Sequence, residues 1–123
     1  MILLLSDDLI DASKTIASAR AAGVEIAQVR TVAVLVDRIS NSSPASCIVD
    51  LHFPGLDIVD LVGELARDPT RPRLIAYGSH IDTDRLRAAR QAGFDIVMPR
   101  SQYFEEMPAL IPEWAGSSAQ PEA

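Results

Sequence analysis

Five short apolar runs, separated by stretches with helical spacing, constrain the fold of this chain more than any other feature of its sequence. Such runs, rich in Ile, Leu and Val and without polar alternation, are typical of strands that are covered on both faces. Strands that alternate with helices predict a parallel sheet with right-handed crossovers and with helices on both faces. We therefore expect an α/β, doubly wound, five-stranded sheet. The runs lie near residues 2–6, 24–29, 46–50, 73–77 and 95–98.

The helices are predicted from apolar residues on one face and from residues that favour helix ends. Asp57 is expected to cap the N-terminus of one helix. Gly23 and Gly93 are expected to end two others, because glycine favours the left-handed C-terminal cap. A helix over 31–39 is predicted from its position between two apolar runs and not from its composition, because its three valines favour strand. The inward residues are predicted to be Leu9, Ala12, Ile16 and Ala19, then Ile58, Leu61, Val62 and Leu65, then Leu86, Ala89 and Ala92.

Length and composition limit the class of protein. The 123 residues suffice for one domain, predicted over 1–115 and followed by a disordered tail over 116–123. The formal net charge of -6 argues against direct nucleic-acid binding, which relies on a basic surface. No stretch approaches the roughly 20 apolar residues that a membrane span needs, and the opening MILLLSDD lacks a signal-peptide pattern. The single Cys47 is expected to be buried in a reducing compartment, so we expect a soluble cytoplasmic protein.

Polar residues follow the predicted strands at the edge of the sheet where open α/β folds bind ligands. Three carboxylates at this edge repel each other, and a hard divalent cation such as Mg²⁺ would relieve the repulsion. One carboxylate could then attack phosphorus and form an acyl phosphate, while a cation such as Arg100 neutralises the moving charge. The residues are Asp7 and Asp8 after the first strand, Asp50 at the third, Gly78, Ser79 and His80 after the fourth, and Arg100 past the fifth.

Three segments of the sequence form an ordered set. They are the acidic pair in LLLSDDL, the aspartate followed by proline and a second acid in VDLHFPGLD, and the helix-to-strand segment RLRAARQAGFDIVMPRS. Together, over about residues 1–112, they resemble a response-regulator receiver domain of two-component signalling. The resemblance implies the flavodoxin-like strand order 2-1-3-4-5.

The resemblance also implies a function and a set of site residues. By position, Asp50 resembles the phosphoacceptor, and Asp7 and Asp8 resemble the acidic pair that holds Mg²⁺ beside it. The backbone carbonyl of His52 would complete the metal site. A histidine kinase or phosphotransfer protein would donate the phosphoryl group, and the added charge would reorganise the loop over 78–81 and switch binding to a downstream protein. No enzymatic activity is expected beyond formation of the aspartyl phosphate on the chain itself.

The sequence departs from the receiver pattern in three places. Receivers usually have Thr or Ser at the end of the fourth strand, where this chain has Gly78; either Ser79 takes over or the contact is missing. They also have Lys at the end of the fifth strand, where the spacing places Arg100 and an alignment gap would place Met98. Two prolines in MPALIPEW predict that the last helix is short or kinked.

Several of these residues have plain structural interpretations. Asp8 is a candidate N-cap of the first helix. Arg100 is a candidate partner for Asp95 or Glu105 in an exposed ion pair. Tyr77 is expected to pack in the core or at its rim rather than to act as a switch.

Three other functions are compatible with parts of the sequence. A pseudo-receiver would keep the acids but bind its partner without a phosphorylation cycle. Asp50, His52 and Gly55 match the D-x-H-x-x-G signature of a cobalamin site, in which His52 would be the axial ligand, although that motif normally follows a first strand. Mg²⁺-dependent phosphatases of the dehalogenase type also use an Asp nucleophile, but they need a second acid where this chain has His52.

Overall fold

In the part of the chain that the structure describes, five strands alternate strictly with five helices. The computed structural model describes residues 1–116, so the predicted tail lies outside the described residues apart from Gly116. None of the helices in this range is long and apolar enough to cross a membrane. The elements are β1 (Ile2–Leu5), α1 (Leu9–Ala21), β2 (Ile26–Val29), α2 (Val32–Ser42), β3 (Ser46–Asp50), α3 (Ile58–Leu65), β4 (Arg73–Gly78), α4 (Thr83–Ala92), β5 (Ile96–Pro99) and α5 (Arg100–Ala115).

The strands form one parallel sheet in the order β2-β1-β3-β4-β5, which confirms the predicted fold class and strand order. The strand order reverses at β1 and β3: β2 lies on one side of β1, and β3, β4 and β5 follow on the other side. At this point Leu5 of β1 pairs with Val49 of β3. The register places Asp50 opposite Tyr77, and Tyr77 opposite Met98. The residues that follow β1 and β3 therefore emerge side by side at the switch point, where such sheets bind ligands.

Each face of the sheet is covered by its own apolar core, which explains why the strands show no polar alternation. In β1, Leu3 and Leu5 pack into the core beneath α2, α3 and α4, and Ile2 and Leu4 pack into the core beneath α1 and α5. All four side chains are fully buried. Cys47 is also buried, as predicted, and desolvation raises the pKa of its thiol to about 12.

Local signals placed the helix ends correctly. The Asp57 carboxylate accepts a hydrogen bond from the Asp60 backbone nitrogen at 2.9 Å and caps α3. Gly23 and Gly93 follow α1 and α4 with φ angles of +72° and +115°, which glycine adopts readily. The prediction that Leu9 points inward is wrong, because Leu9 begins α1 on its outer side and is 72% exposed.

The last helix was predicted to be short or kinked, and the prediction of a short helix is wrong, because α5 runs for 16 residues. Pro108 and Pro112 are four residues apart and lie together on the exposed side of the helix. Ser46 Oγ donates a 2.6 Å hydrogen bond to the carbonyl oxygen of Trp114 near the C-terminal end. Each proline removes one helical hydrogen bond, but a continuous buried face holds the helix against the sheet. That face consists of Tyr103, Met107, Ile111 and Trp114.

Candidate functional site

A pocket of about 230 Å³ opens at the edge of the sheet where the strands end. Its walls bring together the three acids that the sequence placed after β1 and β3. The pairing of Leu5 with Val49 explains this convergence, because it fixes the two strand ends next to each other. The lining residues are Asp7, Asp8, Asp50, His52 and Pro54.

Asp50 is the buried acid of this pocket, with 7% of its surface exposed. Its Oδ1 atom accepts a hydrogen bond from the His52 backbone nitrogen at 2.9 Å. Burial raises the pKa of Asp50, the hydrogen bond from His52 opposes that rise, and the negative charges of Asp11 and Asp8 add to it. The ionised carboxylate is therefore costly to hold in the folded protein unless a cation approaches it.

Asp7 and Asp8 are exposed at the mouth of the pocket. Asp8 also has the structural role considered above, because its Oδ1 atom accepts a 2.9 Å hydrogen bond from the Asp11 backbone nitrogen and caps α1. Within residues 1–116, no group of three or more His, Cys, Asp or Glu side chains is arranged so that it could hold a metal ion. A hard cation that keeps several of its waters, such as Mg²⁺, needs only one or two carboxylates, so the acids that line the pocket are candidate ligands for it.

His52 connects the pocket to the loop after β4. Its Nε2 atom accepts a hydrogen bond from the Ser79 backbone nitrogen at 2.9 Å. In the neutral imidazole the proton is therefore on Nδ1. This arrangement does not suit the cobalamin interpretation, because Nε2 is already engaged and Asp50 orients the backbone of His52, not its ring.

Ser79 does not take over the missing hydroxyl contact in this conformation. It lies outside the set of pocket-lining residues, and its Oγ atom accepts a hydrogen bond from the Ile81 backbone nitrogen at 3.2 Å. The neighbouring strand end is crowded, because a Cβ atom on Gly78 would lie 3.3 Å from His52 Nε2 and 3.3 Å from Leu51 Cβ. Glycine at this position thus permits the close approach of the His52 ring.

Arg100 begins α5 and binds an acid that sequence reasoning missed. Its Nε atom donates to Asp11 Oδ2 at 3.2 Å, and its Nη2 atom donates to Asp11 Oδ1. The hydrogen bond to Asp11 raises the pKa of Arg100 above its ordinary value. The alternative that Arg100 pairs with Asp95 or Glu105 is wrong, because Arg100 pairs with Asp11 and Asp95 forms its ion pair with Arg71 at 3.0 Å.

Asp11 is buried, and its second partner is Tyr77, whose hydroxyl donates to Asp11 Oδ2 at 3.2 Å. Tyr77 is 1% exposed and stacks on Tyr103 with ring centroids 4.3 Å apart, which confirms that it packs in the core. Met98, the other candidate for the lysine position, is buried in the same core and supplies no charge. An acid on the inward face of α1, one turn after Asp8, was the signal that could have identified Asp11.

Comparison with known proteins extends the similarity beyond single motifs. No protein-family model matches the chain. The sensor protein TorS of Escherichia coli K12 is 27% identical over 100 residues, which is 80% of this chain and 11% of TorS. The chain thus spans about a tenth of the length of this curated relative.

Solved structures match the chain over almost its full length. A response-regulator signal receiver domain from Bermanella marisrubri superimposes with a TM-score of 0.81 at 20% identity, covering 94% of this chain and 97% of that one. The chain has the receiver-domain fold. The receiver domain of a sensor histidine kinase from Pseudomonas aeruginosa, with a magnesium ion in its active-site cleft, matches with a TM-score of 0.78 at 20% identity and the same coverage of both chains. These matches confirm the resemblance to response-regulator receiver domains.

Proposed function

We propose that the chain is a receiver domain that accepts a phosphoryl group on Asp50 and thereby changes its affinity for a protein partner. The observation that carries this proposal is the placement of Asp50, which is buried at the end of β3 yet lines the same pocket as Asp7 and Asp8. A buried acid beside two other acids destabilises the folded state unless a cation binds there. A functional role explains why such a cluster is present.

The proposed metal is Mg²⁺, for which the carboxylates of Asp7, Asp8 and Asp50 and the backbone carbonyl of His52 are the candidate ligands. Such an ion takes one or two carboxylates and fills its remaining positions with water and phosphate oxygens, so it does not need a complete protein cage. When bound, it would neutralise charge on the transferring phosphoryl group. The magnesium ion in the cleft of the Pseudomonas receiver domain supports this assignment.

The proposed chemistry is phosphoryl transfer to the free oxygen of Asp50. Oδ1 accepts the hydrogen bond from the His52 backbone nitrogen, so we assign Oδ2 as the nucleophile. A bond forms between Oδ2 and phosphorus, while the bond from phosphorus to the leaving atom of the donor breaks and its electrons stay with that atom. The proposed donor is a histidine kinase or phosphotransfer protein, and the chain would act only on itself.

The proposed output is a rearrangement of the loop over 78–81. A phosphoryl group adds about -1.5 to -2 charges and three acceptor oxygens beside the His52 ring. A charged phosphoryl oxygen is a stronger acceptor than a neutral imidazole, so it would compete for the Ser79 backbone N–H that His52 now accepts. Breaking that hydrogen bond would free the loop and expose a different surface to the partner.

A second candidate is a phosphorylation-independent interaction module with the same fold. Two contacts favour it: Arg100 is bound to Asp11, and the Ser79 hydroxyl is bound within its own loop. Neither group is therefore placed to hold a phosphoryl group on Asp50. Partner binding that is unchanged by Asp50→Asn would favour this module.

The deciding experiment is Mg²⁺-dependent labelling with acetyl phosphate, read by intact mass. The matched control is Asp37→Asn, because Asp37 is an exposed acid on α2, far from the pocket in sequence. We expect one phosphate on the native chain and on Asp37→Asn, and none on Asp50→Asn or after chelation of Mg²⁺. An adduct that persists on Asp50→Asn would exclude Asp50 as the acceptor, and no adduct on the native chain would favour the interaction module.

A further inference from the structure

Asp11 is a buried acid that the proposed phosphotransfer at Asp50 does not use. Its side chain is only 3% exposed, and it lies on the first turn of α1. A carboxylate buried to this degree requires a partner, because an unpaired charge in the interior is strongly unfavourable. Arg100 and Tyr77 both donate to it.

The guanidinium of Arg100 is held by two separate contacts. Two of its nitrogen atoms bind the two oxygens of Asp11, which is the bidentate geometry that fixes an arginine most firmly. Its planar end also lies 5.0 Å from the centroid of the Phe104 ring, a distance typical of a cation–π contact. The side chain is nevertheless 47% exposed, so it has room to move when Asp11 releases it.

We propose that Asp11 is a positioning residue that holds the guanidinium of Arg100 against α1 and withholds it from a phosphoryl group arriving at Asp50. This inference rests on the proposed function. The transition state of phosphoryl transfer spreads negative charge over three oxygens, and a positioned guanidinium accelerates such reactions. The native chain therefore reacts with its phosphodonor without help from the cation that follows β5, and the ion pair sets a low rate.

The test is the rate of labelling by acetyl phosphate at saturating Mg²⁺ in Asp11→Asn. Asparagine preserves the shape of the side chain, and its amide oxygen can still accept the Tyr77 hydroxyl, but it no longer binds Arg100 as an ion pair. We expect labelling to become at least about tenfold faster, a conservative figure beside the factors found for single donors in active sites. In an Arg100→Gln background, the Asp11→Asn change should accelerate labelling by less than about twofold.

This double-variant comparison separates positioning from a general charge effect. The charge of Asp11 also raises the pKa of Asp50, and its removal would act on Asp50 whether or not Arg100 is present. A gain of about tenfold that persists in the Arg100→Gln background would therefore overturn the proposal. If Asp11→Asn does not fold, the test uses Arg100→Lys instead, because lysine cannot bind both oxygens of Asp11 in the bidentate way that arginine does. Faster labelling is then expected, and an unchanged or slower rate would contradict the proposal.

The outcomes also distinguish this inference from the proposed function. Labelling of the native chain at Asp50 with no change in rate in Asp11→Asn would refute the positioning role alone. No labelling in either protein, with both folded by circular dichroism, would refute phosphate acceptance and the positioning role together.

Discussion

The end of β4 offers the sharpest test of the packing around the pocket. An alanine Cβ at Gly78 would meet His52 Nε2, Leu51 Cβ and Leu51 Cδ1, each at 3.3 Å. Leu51 is fully buried in the core, and the His52 ring is held by its 2.9 Å hydrogen bond from Ser79. Neither neighbour can move without losing packing or a hydrogen bond, so Gly78→Ala should destabilise the fold.

Two opposing effects determine how much Gly78→Ala changes the free energy of unfolding. Replacing glycine by alanine restricts the unfolded chain and stabilises the folded state by about 0.4–1 kcal/mol. Overpacking a well-filled site costs about 1–3 kcal/mol. The expected net loss for Gly78→Ala is therefore about 1 kcal/mol, which corresponds to a fall in Tm of roughly 4 °C for a domain of this size.

The measurement is urea unfolding of Gly78→Ala beside Gly63→Ala, in which the same chemical change has the opposite expected sign. Gly63 is exposed within α3, and nothing lies within 4 Å of its added Cβ. Alanine should stabilise that helix by about 0.5–1 kcal/mol. If Gly63→Ala behaves as expected but Gly78→Ala is at least as stable as the native chain, the close packing of Gly78 on His52 and Leu51 is refuted.

Two further substitutions test α5 and the charge state of the pocket. Pro108→Ala, at an exposed position inside α5, should raise the free energy of unfolding by about 2 kcal/mol, measured in a thermal melt. Proline costs about 3 kcal/mol in a helix interior, but it also stiffens the unfolded chain, and this second effect offsets part of the cost. No gain in stability would mean that the helix already accommodates the proline ring. The pKa of Asp50 is raised above its ordinary value of 3.8 by burial, so the folded state holds that proton more tightly, and stability should fall as pH rises from that value through the folded pKa. Urea unfolding without Mg²⁺ should therefore show that Asp50→Asn becomes more stable relative to the native chain as the pH rises from 4 to 7. A difference in unfolding free energy that stays constant over this range would contradict the raised pKa.

The local features of the fold were predictable because their signals lie within a few residues of each other. Apolar runs indicated the strands, and Asp57, Gly23 and Gly93 indicated helix ends, since caps act within a single turn. The convergence of Asp8 and Asp50 followed from one topological rule about parallel sheets. The full length of α5 did not follow from local rules, because its buried face outweighs the two lost hydrogen bonds only once the sheet is in place.

The sequence by itself determined the order of the strands and helices, their approximate ends and the acids that reach one edge of the sheet. Only the tertiary structure decided which partner each polar side chain has. Arg100 binds Asp11, which is 89 positions away, and the His52 ring accepts the backbone N–H of Ser79, which is 27 positions away. Contacts of this kind depend on distances between elements that are remote in the chain, and a burial pattern or a motif carries no information about those distances.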